Sequence, residues 1–564
     1  MNRATCFALG RSGASGRTAM VALWLCASLS PAFGQEAAIT PVVLPGAPVE
    51  MPQLGPPAEL LPVPSTVFAR TLADVLAGDE TLVGFYARRD WAPVWTGAED
   101  APRRAAFFTT LAEAGAQGLP ERRYDAEGLV RQFREVLGER DRGLLEAAMT
   151  RAFLSYARDV NSGVLTPARV DPGIVRQVRR PEVLGLMEGI AGEAPGRFLA
   201  SLPPRSTEYA ALLREKAHLE AMLSHPSGPV ITADVLKPGQ AGPDVVALAR
   251  RLTTLGYPAG EGHSYDGNLR AAVKRFQQDR GLNDDGVAGR ITLQELNRNS
   301  TGKLSAVLAA LERERWSNFD RGKRHIWVNI ADFQVKIVEN GHVTFSTRSV
   351  VGKAAPDHET PEFSDMMQFM VVNPRWNVPR SISIREYLPQ LQKNPNAVGH
   401  LDVVDRAGNV IPRDAVDFTQ FTPQNFPYRI RQAPGDDNAL GLVKFMFPNK
   451  YNIYLHDTPS KSLFNRDERA FSHGCIRLAD PFDFAYALLA AQESDPVARF
   501  QRVLATGKET TVRLKEPVPI HLDYRTAFSD ERGRIVYRAD VYGRDGKIAA
   551  ALEKAGVALP GVQG

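Results

Sequence analysis

At 564 residues the chain exceeds what one hydrophobic core supports, and about 150 residues per domain predicts roughly four packed units. Hydrophobic residues make up 44% and charged residues 23%, which excludes bulk disorder. The 68 Lys and Arg against 64 Asp and Glu leave a formal charge of +4, too little over this length for a nucleic-acid-binding surface, so no nucleic-acid partner is expected.

Residues 1–34 combine Arg3, Arg11 and Arg17 with an apolar run from Ala19 to Leu29. Pro31-Ala32-Phe33-Gly34 then offers small residues at −3 and −1 before Gln35. This pattern predicts a cleaved export signal. The alternatives are an uncleaved anchor, for which the run is barely long enough, and a lipoprotein signal ending at Cys26, where Leu25 is bulky at a position that favours a small residue. Cys6 and Cys26 both fall inside this signal. The mature chain therefore keeps one thiol, Cys475, and can form no internal disulfide.

Residues 35–65 hold eight prolines, Pro41 to Pro64, and predict an extended tether. A helical domain is expected over 66–230. In it Leu145, Met149, Phe153 and Tyr156 recur at steps of four, four and three before Gly163 and Pro167. Trp91 and Trp95 are expected in its core rather than in a ligand box. A self-contained unit follows at 234–297, with one helix lined by Val245, Leu248, Leu252 and Leu255. A second is marked by Val273 and Phe276, and a third, after the Asp285–Thr292 turn, by Leu293 and Leu296.

Beyond a helix at Leu304–Trp316 the texture turns to β. Runs at 326–330 and 334–338, with Val343-Thr344-Phe345 after Asn340-Gly341, predict a hairpin. Further strands are expected near Val371-Val372 and over Tyr451–Leu455. Residues 380–445 predict an irregular insertion acting as a lid or binding loop. The tail, 517–564, predicts a pairing of Ile520-His521-Leu522 with Ile535-Val536-Tyr537 and then a short amphipathic helix.

The chemistry concentrates in Ser472-His473-Gly474-Cys475-Ile476-Arg477-Leu478. A free thiol is only a few per cent ionised at neutral pH, and an imidazole is the usual means of activating it. His456, 19 residues upstream, is the candidate base; His473, two residues from Cys475, is the rival. Gly474 leaves room beside the thiol, and the backbone N–H groups of Gly474 and Cys475 are candidate oxyanion donors. Arg477 suits a substrate carboxylate, or alternatively an ion pair with Asp480 or Asp483. A zinc site from His456, Asp457 and His473 is chemically legitimate, but no metal-ligand spacing supports it, so neither metal nor cofactor is expected.

These residues carry a resemblance. Tyr454-Leu455-His456-Asp457-Thr458-Pro459 and Ser472–Leu478 resemble the active-site signature of the YkuD-type L,D-transpeptidases. Val351-Gly352-Lys353, Thr360-Pro361-Glu362-Phe363, Asn373–Pro379, Asn438–Gly441 with Lys444-Phe445, and Tyr524 with Asp540-Val541-Tyr542 are similar to the large multidomain YcbB-like branch. The 234–297 unit resembles a peptidoglycan-binding module.

The resemblance implies a multidomain α+β protein: a helical N-terminal scaffold, a three-helix peptidoglycan-binding module, and a mostly-β catalytic domain over 324–516 with a capping insertion. It implies a periplasmic enzyme forming 3→3 crosslinks between peptidoglycan stem peptides, with Cys475 as nucleophile, His456 as base, and His473 and Gly474 assisting. Ser472, Tyr454, Arg477 and Trp376 would meet the substrate, and carbapenems would acylate Cys475. Other cell-wall synthesis enzymes are possible partners. The rival readings are an L,D-carboxypeptidase, a wall-protein attachment enzyme, a non-catalytic wall-binding scaffold and a thiol protease.

Overall fold

The computed structural model of the protein describes residues 62–223, 230–280, 282–297 and 300–558. The expected export signal and the tether through residue 61 lie outside the described residues. Among the described residues no helix is long and apolar enough to cross a membrane.

The periodic stripe through Leu145, Met149, Phe153 and Tyr156 belongs to a 24-residue helix, Glu139–Ser162, and all four side chains are buried. Trp95 packs 5.2 Å from the Phe107 ring and 5.6 Å from Phe153, so this tryptophan is core, as is Trp91. Each such side chain removed from water contributes about 1.5–3 kcal/mol. The 230–297 unit keeps a core of its own around helices Pro243–Thr254, Gly267–Arg280 and Arg290–Asn297. Helix Ser300–Trp316 then returns to pack in one cluster with Thr207–Met222 and Arg544–Lys554, so the helical region and the tail share apolar contacts.

The strands run β1 Arg324–Asn329, β2 Gln334–Glu339, β3 His342–Gly352, β4 Phe363–Val372, β5 Trp376–Asn377, β6 Asp402–Val404 and β7 Arg429–Gln432. They continue as β8 Val443–Met446, β9 Leu455–His456, β10 Ala470–Ser472, β11 Ile476–Leu478, β12 Thr510–Asp523, β13 Ala527–Ser529 and β14 Ile535–Tyr537. The main sheet has the order β10-β3-β11-β9-β8-β4-β12-β1-β2, and β2 also pairs with β3, so eight of its strands close into a ring. The expected hairpin is β2–β3, with Glu339 opposite His342 across Asn340-Gly341. Inward residues such as Ile326, Val328, Phe445, Leu455, Ile476 and Ile520 fill the ring and are fully buried.

Three expectations are corrected. First, the insertion is not irregular. It folds as Arg380–Lys393, helical with a π turn at Ser383–Tyr387, and a sheet β5-β7-β6 around Leu388, Leu391, Phe418, Phe426 and Ile430. Its strands of two to four residues carry no periodicity to read, and the π turn at Ser383–Tyr387 breaks the 3.6-residue repeat of its helical run. The insertion ends before residue 445, because β8 lies inside the main sheet.

Second, Ile520–Leu522 does not pair with Ile535–Tyr537. It belongs to β12, parallel to β1 and antiparallel to β4, and the partner of β14 is β13. The catalytic sheet therefore runs to Asp523, past the expected boundary at 516. Pro517 disguised this continuity; it sits in a register shift between Arg513 and Val518, the kind of irregularity that tolerates proline within a strand. Third, the strand near His456 is only Leu455–His456, so the histidine is in the strand rather than after it.

Candidate active site

Strand β9 lies between β8, antiparallel, and β11, parallel. Leu455 is opposite Phe445 and Ile476 and points into the ring. One residue on, His456 is opposite Lys444 and Arg477. Side chains two apart along a strand share a face. The spacing Tyr454-x-His456 beside Cys475-x-Arg477 thus sets four polar side chains on one wall of a cleft of about 700 Å³, facing the insertion across it.

Cys475 is half-buried, and its Sγ donates to the Asn452 carbonyl at 3.5 Å. Burial pushes the thiol up to about 11, against the lowering pull of Tyr454, whose backbone N–H and side chain both bond it, and of Arg477. His456 is 4% exposed. Burial, then the Arg477 charge, push its imidazole down to about 3, with the Lys444 charge acting the same way. Its Nδ1 donates to the Asp457 carbonyl at 2.5 Å, which leaves Nε2 as the basic nitrogen. Among the described residues no hydrogen bond joins the thiol to this ring. Thiol and imidazole are both neutral at pH 7.

Arg477 has no ion pair among the described residues, and its buried Nε has no hydrogen-bond partner. The alternative of a structural pair with Asp480 is overturned: that carboxylate accepts from the Thr347 hydroxyl at 2.8 Å. A guanidinium held in a cleft without a counter-charge is costly, and burial lowers it from its ordinary value.

The turn before Cys475 is built by small contacts. Gly474 has φ +110°, a conformation side chains rarely adopt, and a Cβ there would meet Ile453 at 3.1 Å. Its N–H donates to Ser472 Oγ at 3.1 Å, and that hydroxyl donates to the Cys475 carbonyl at 2.5 Å. Ser472 is thereby engaged on both sides in holding the turn. The Gly474 N–H is used as well, so the expectation of two free oxyanion donors is corrected to one: the Cys475 N–H has no acceptor among the described residues.

The Gly474 carbonyl accepts from Thr360 Oγ1 at 2.7 Å, and Thr360 Oγ1 accepts from the Gly352 N–H at 3.0 Å. Gly352 is required by close approach, since a Cβ would meet the His358 carbonyl at 2.0 Å. Tyr542, from the tail, donates to the Gly352 carbonyl at 2.5 Å and accepts from the Thr360 N–H at 3.3 Å. Tyr542 stacks on Tyr524, which donates to Asp540 at 2.7 Å. Arg544, fully buried, donates to Glu362 and Glu359 at 3.2 Å and to the Thr360 carbonyl at 3.1 Å. The helical region joins here too, through Arg313 to Asp545 at 2.5 Å.

His473 does not share the Cys475 face, because the Gly474 conformation interrupts the strand. Its Nε2 donates to Glu386 of the insertion at 2.6 Å, and its ring lies 4.8 Å from His358. Trp376 lines the opposite wall, 6.3 Å from Tyr387. The zinc alternative is corrected, since Asp457 is taken up by Leu442 N–H, Thr458 N–H and Lys461, and the potential ligand group that contains His473 is completed by His358 and Glu386. Sequence reasoning missed Thr360, His358, Glu386 and Arg544 as parts of the site. The signal for Thr360 lay in the quoted Thr-Pro-Glu-Phe segment; the others carry none at this sequence separation.

Three domain families match parts of the chain. Residues 323–513 match the L,D-transpeptidase catalytic domain family (YkuD), 80–215 the Scaffold domain family, and 241–296 the family described as "Putative peptidoglycan binding domain". A Haemophilus influenzae protein named "Putative L,D-transpeptidase" is 36% identical over 228 residues, 40% of this chain and 45% of its own length, so the chain spans about half of that relative.

Among solved structures, an L,D-transpeptidase (residues 123–326) from Xylanimonas cellulosilytica is 14% identical, covers 53% of this chain and all of its own, and gives a TM-score of 0.16. A fused Zn-dependent amidase/peptidase/peptidoglycan-binding domain-containing protein from Clostridium acetobutylicum is also 14% identical, covers 51% of this chain and 99% of its own, and scores 0.15. Overlap at these scores carries no weight for the fold. The chain is thus a multidomain α+β protein, with a helical N-terminal region, a peptidoglycan-binding domain and a mostly-β catalytic domain. Residues 323–513 are similar to the YkuD family of L,D-transpeptidase catalytic domains.

Proposed function

We propose that this chain is an exported L,D-transpeptidase that forms 3→3 crosslinks in peptidoglycan through a thioester on Cys475. The observation that carries the reading is the wall of Tyr454, His456, Cys475 and Arg477, in which a thiol, a neutral base and an unpaired cation share one cleft within the YkuD domain. The donor is a tetrapeptide stem. Arg477 receives an anionic group of that stem, in the bidentate manner guanidinium allows.

Because thiol and imidazole both rest neutral, the proton leaves Sγ for His456 Nε2 as the C–S bond forms at the carbonyl of the third, L-configured stem residue. The oxyanion faces the Cys475 N–H. Collapse breaks the C–N bond, and His456 returns its proton to the amine of the departing D-Ala. The side-chain amine of a second stem's diamino acid then attacks the thioester, gives its proton to His456, and expels the sulfur, which is reprotonated. The folded insertion acts as a cap that limits water, the acceptor's competitor. The same thiol would open the β-lactam ring of a carbapenem, and the three-helix unit would hold glycan. Export fits the periplasm.

The test is incubation of the chain, and of Cys475→Ala, with purified disaccharide-tetrapeptide, read by mass spectrometry. A dimer lacking one D-Ala, formed only by the unaltered protein, is expected. Tripeptide alone would make it an L,D-carboxypeptidase, and no product would leave a wall-binding scaffold.

A further inference from the structure

We propose that His358, Glu386 and His473 form a zinc-binding clamp at the mouth of the cleft, and that a bound Zn²⁺ fastens the insertion over Cys475 and inhibits the enzyme. One nitrogen from each histidine and one oxygen of the glutamate lie within 4.8 Å of one another. The three residues come from three separate segments: the 353–361 loop, the π turn Ser383–Tyr387 of the insertion, and the Ser472–Cys475 turn.

The arrangement favours a metal in three respects. His358 Nδ1 donates to the Pro356 carbonyl at 2.7 Å, which fixes the tautomer and leaves Nε2 with its lone pair directed elsewhere; a carbonyl behind a ligating histidine is the usual support of a metal site. The two rings lie 4.8 Å apart at 49°, so His358 can approach the pair already made between His473 Nε2 and Glu386 Oε1 at 2.6 Å. Two nitrogens and one carboxylate oxygen are also a ligand set that Zn²⁺ accepts with a fourth position left to water.

All three side chains are accessible to solvent, so an ion can enter without unfolding. Binding requires the His473 ring to carry its proton on Nδ1, so that the Nε2 lone pair faces the ion in place of the N–H now given to Glu386. Nε2 and the Glu386 oxygen then open from 2.6 Å to the separation of about 3.3 Å that tetrahedral Zn–N and Zn–O bonds of about 2 Å require. The neighbouring contact of Arg385 with Asp357 at 3.3 Å joins the same turn to the same loop, so the metal tightens a junction that already exists.

The clamp goes beyond the proposed reaction, and its first test does not depend on turnover. Zinc chloride is titrated into the whole chain by calorimetry. One Zn²⁺ per chain is expected. His358→Ala and, separately, Glu386→Gln should each weaken binding at least about tenfold, while Cys475→Ala should bind as the unaltered chain does. Carbapenem acylation of the unaltered chain, followed by mass spectrometry, should slow with zinc and recover on chelation, and should be insensitive to the same zinc in His358→Ala. Binding lost in Cys475→Ala but kept in His358→Ala would move the ion to the thiol and overturn the clamp. So would the absence of a binding isotherm, or binding that leaves acylation unchanged.

Discussion

Arg477 and Arg544 stand on opposite sides of the Gly474 turn, and the protein treats them in opposite ways. Arg544 is fully buried among Glu362, Glu359, the Thr360 carbonyl and the face of Tyr542, 4.9 Å away. Arg477 has no counter-charge, and neither does its neighbour across the strands, His456, which is flanked by two cations. The first side is a buttress in which desolvation is offset by partners. The second leaves desolvation uncompensated, which is the signature of groups waiting for a substrate or a transition state.

The contrast can be broken most severely at the base. His456→Gln should lower kcat/KM by about 10²–10⁴-fold with little change in Tm, measured in the tetrapeptide assay. On the buttress the opposite split is expected: Arg544→Met strands buried carboxylates and should cost about 3–5 kcal/mol of stability in denaturant unfolding. Arg477→Met should show the reverse, a Tm equal to or above that of the unaltered chain and a KM raised by about 10–100-fold, the worth of a charge-assisted hydrogen bond. If Arg477→Met unfolds the protein as Arg544→Met does, the distinction between the two sides fails.

A smaller effect is expected at the hinge between them. Thr360→Val leaves the Gly474 carbonyl without its donor and should cost about 1–3 kcal/mol, with kcat falling more than KM rises. The last prediction concerns the pH response of the thiol. With burial holding it near 11, alkylation by iodoacetamide should rise about tenfold per pH unit between about 7 and 10, because only the thiolate reacts. A step near pH 6 would mean a preformed thiolate–imidazolium pair.

How much of this was legible in the sequence follows from distance along the chain. Cys475, His456, Tyr454 and Arg477 could be read because two-residue spacings on neighbouring strands are local patterns that also encode a common face. The helix carrying Leu145 and Phe153 was legible for the same reason, since its periodicity repeats over many turns. The insertion's core was not, because Leu388, Phe418 and Ile430 meet through elements too short to repeat. Ile520 was matched to the wrong strand because β12 draws its partners from β1, nearly two hundred residues earlier, and hides a bulge at Pro517. His473 was read by its spacing from Cys475, yet Gly474 turns it toward Glu386, a partner 87 residues away.

The grip of Tyr542 on Gly352 and Thr360 also sets an order of events in synthesis. The sulfur-bearing turn is translated before the residues that brace it, so a chain stopped after Asp523 would hold every group of the reacting wall and lack the support of its geometry. The Gly474 turn is then fully braced only once Tyr542 and helix Arg544–Lys554 have docked, so truncations that remove them should keep the four wall residues and lose the geometry that aligns them.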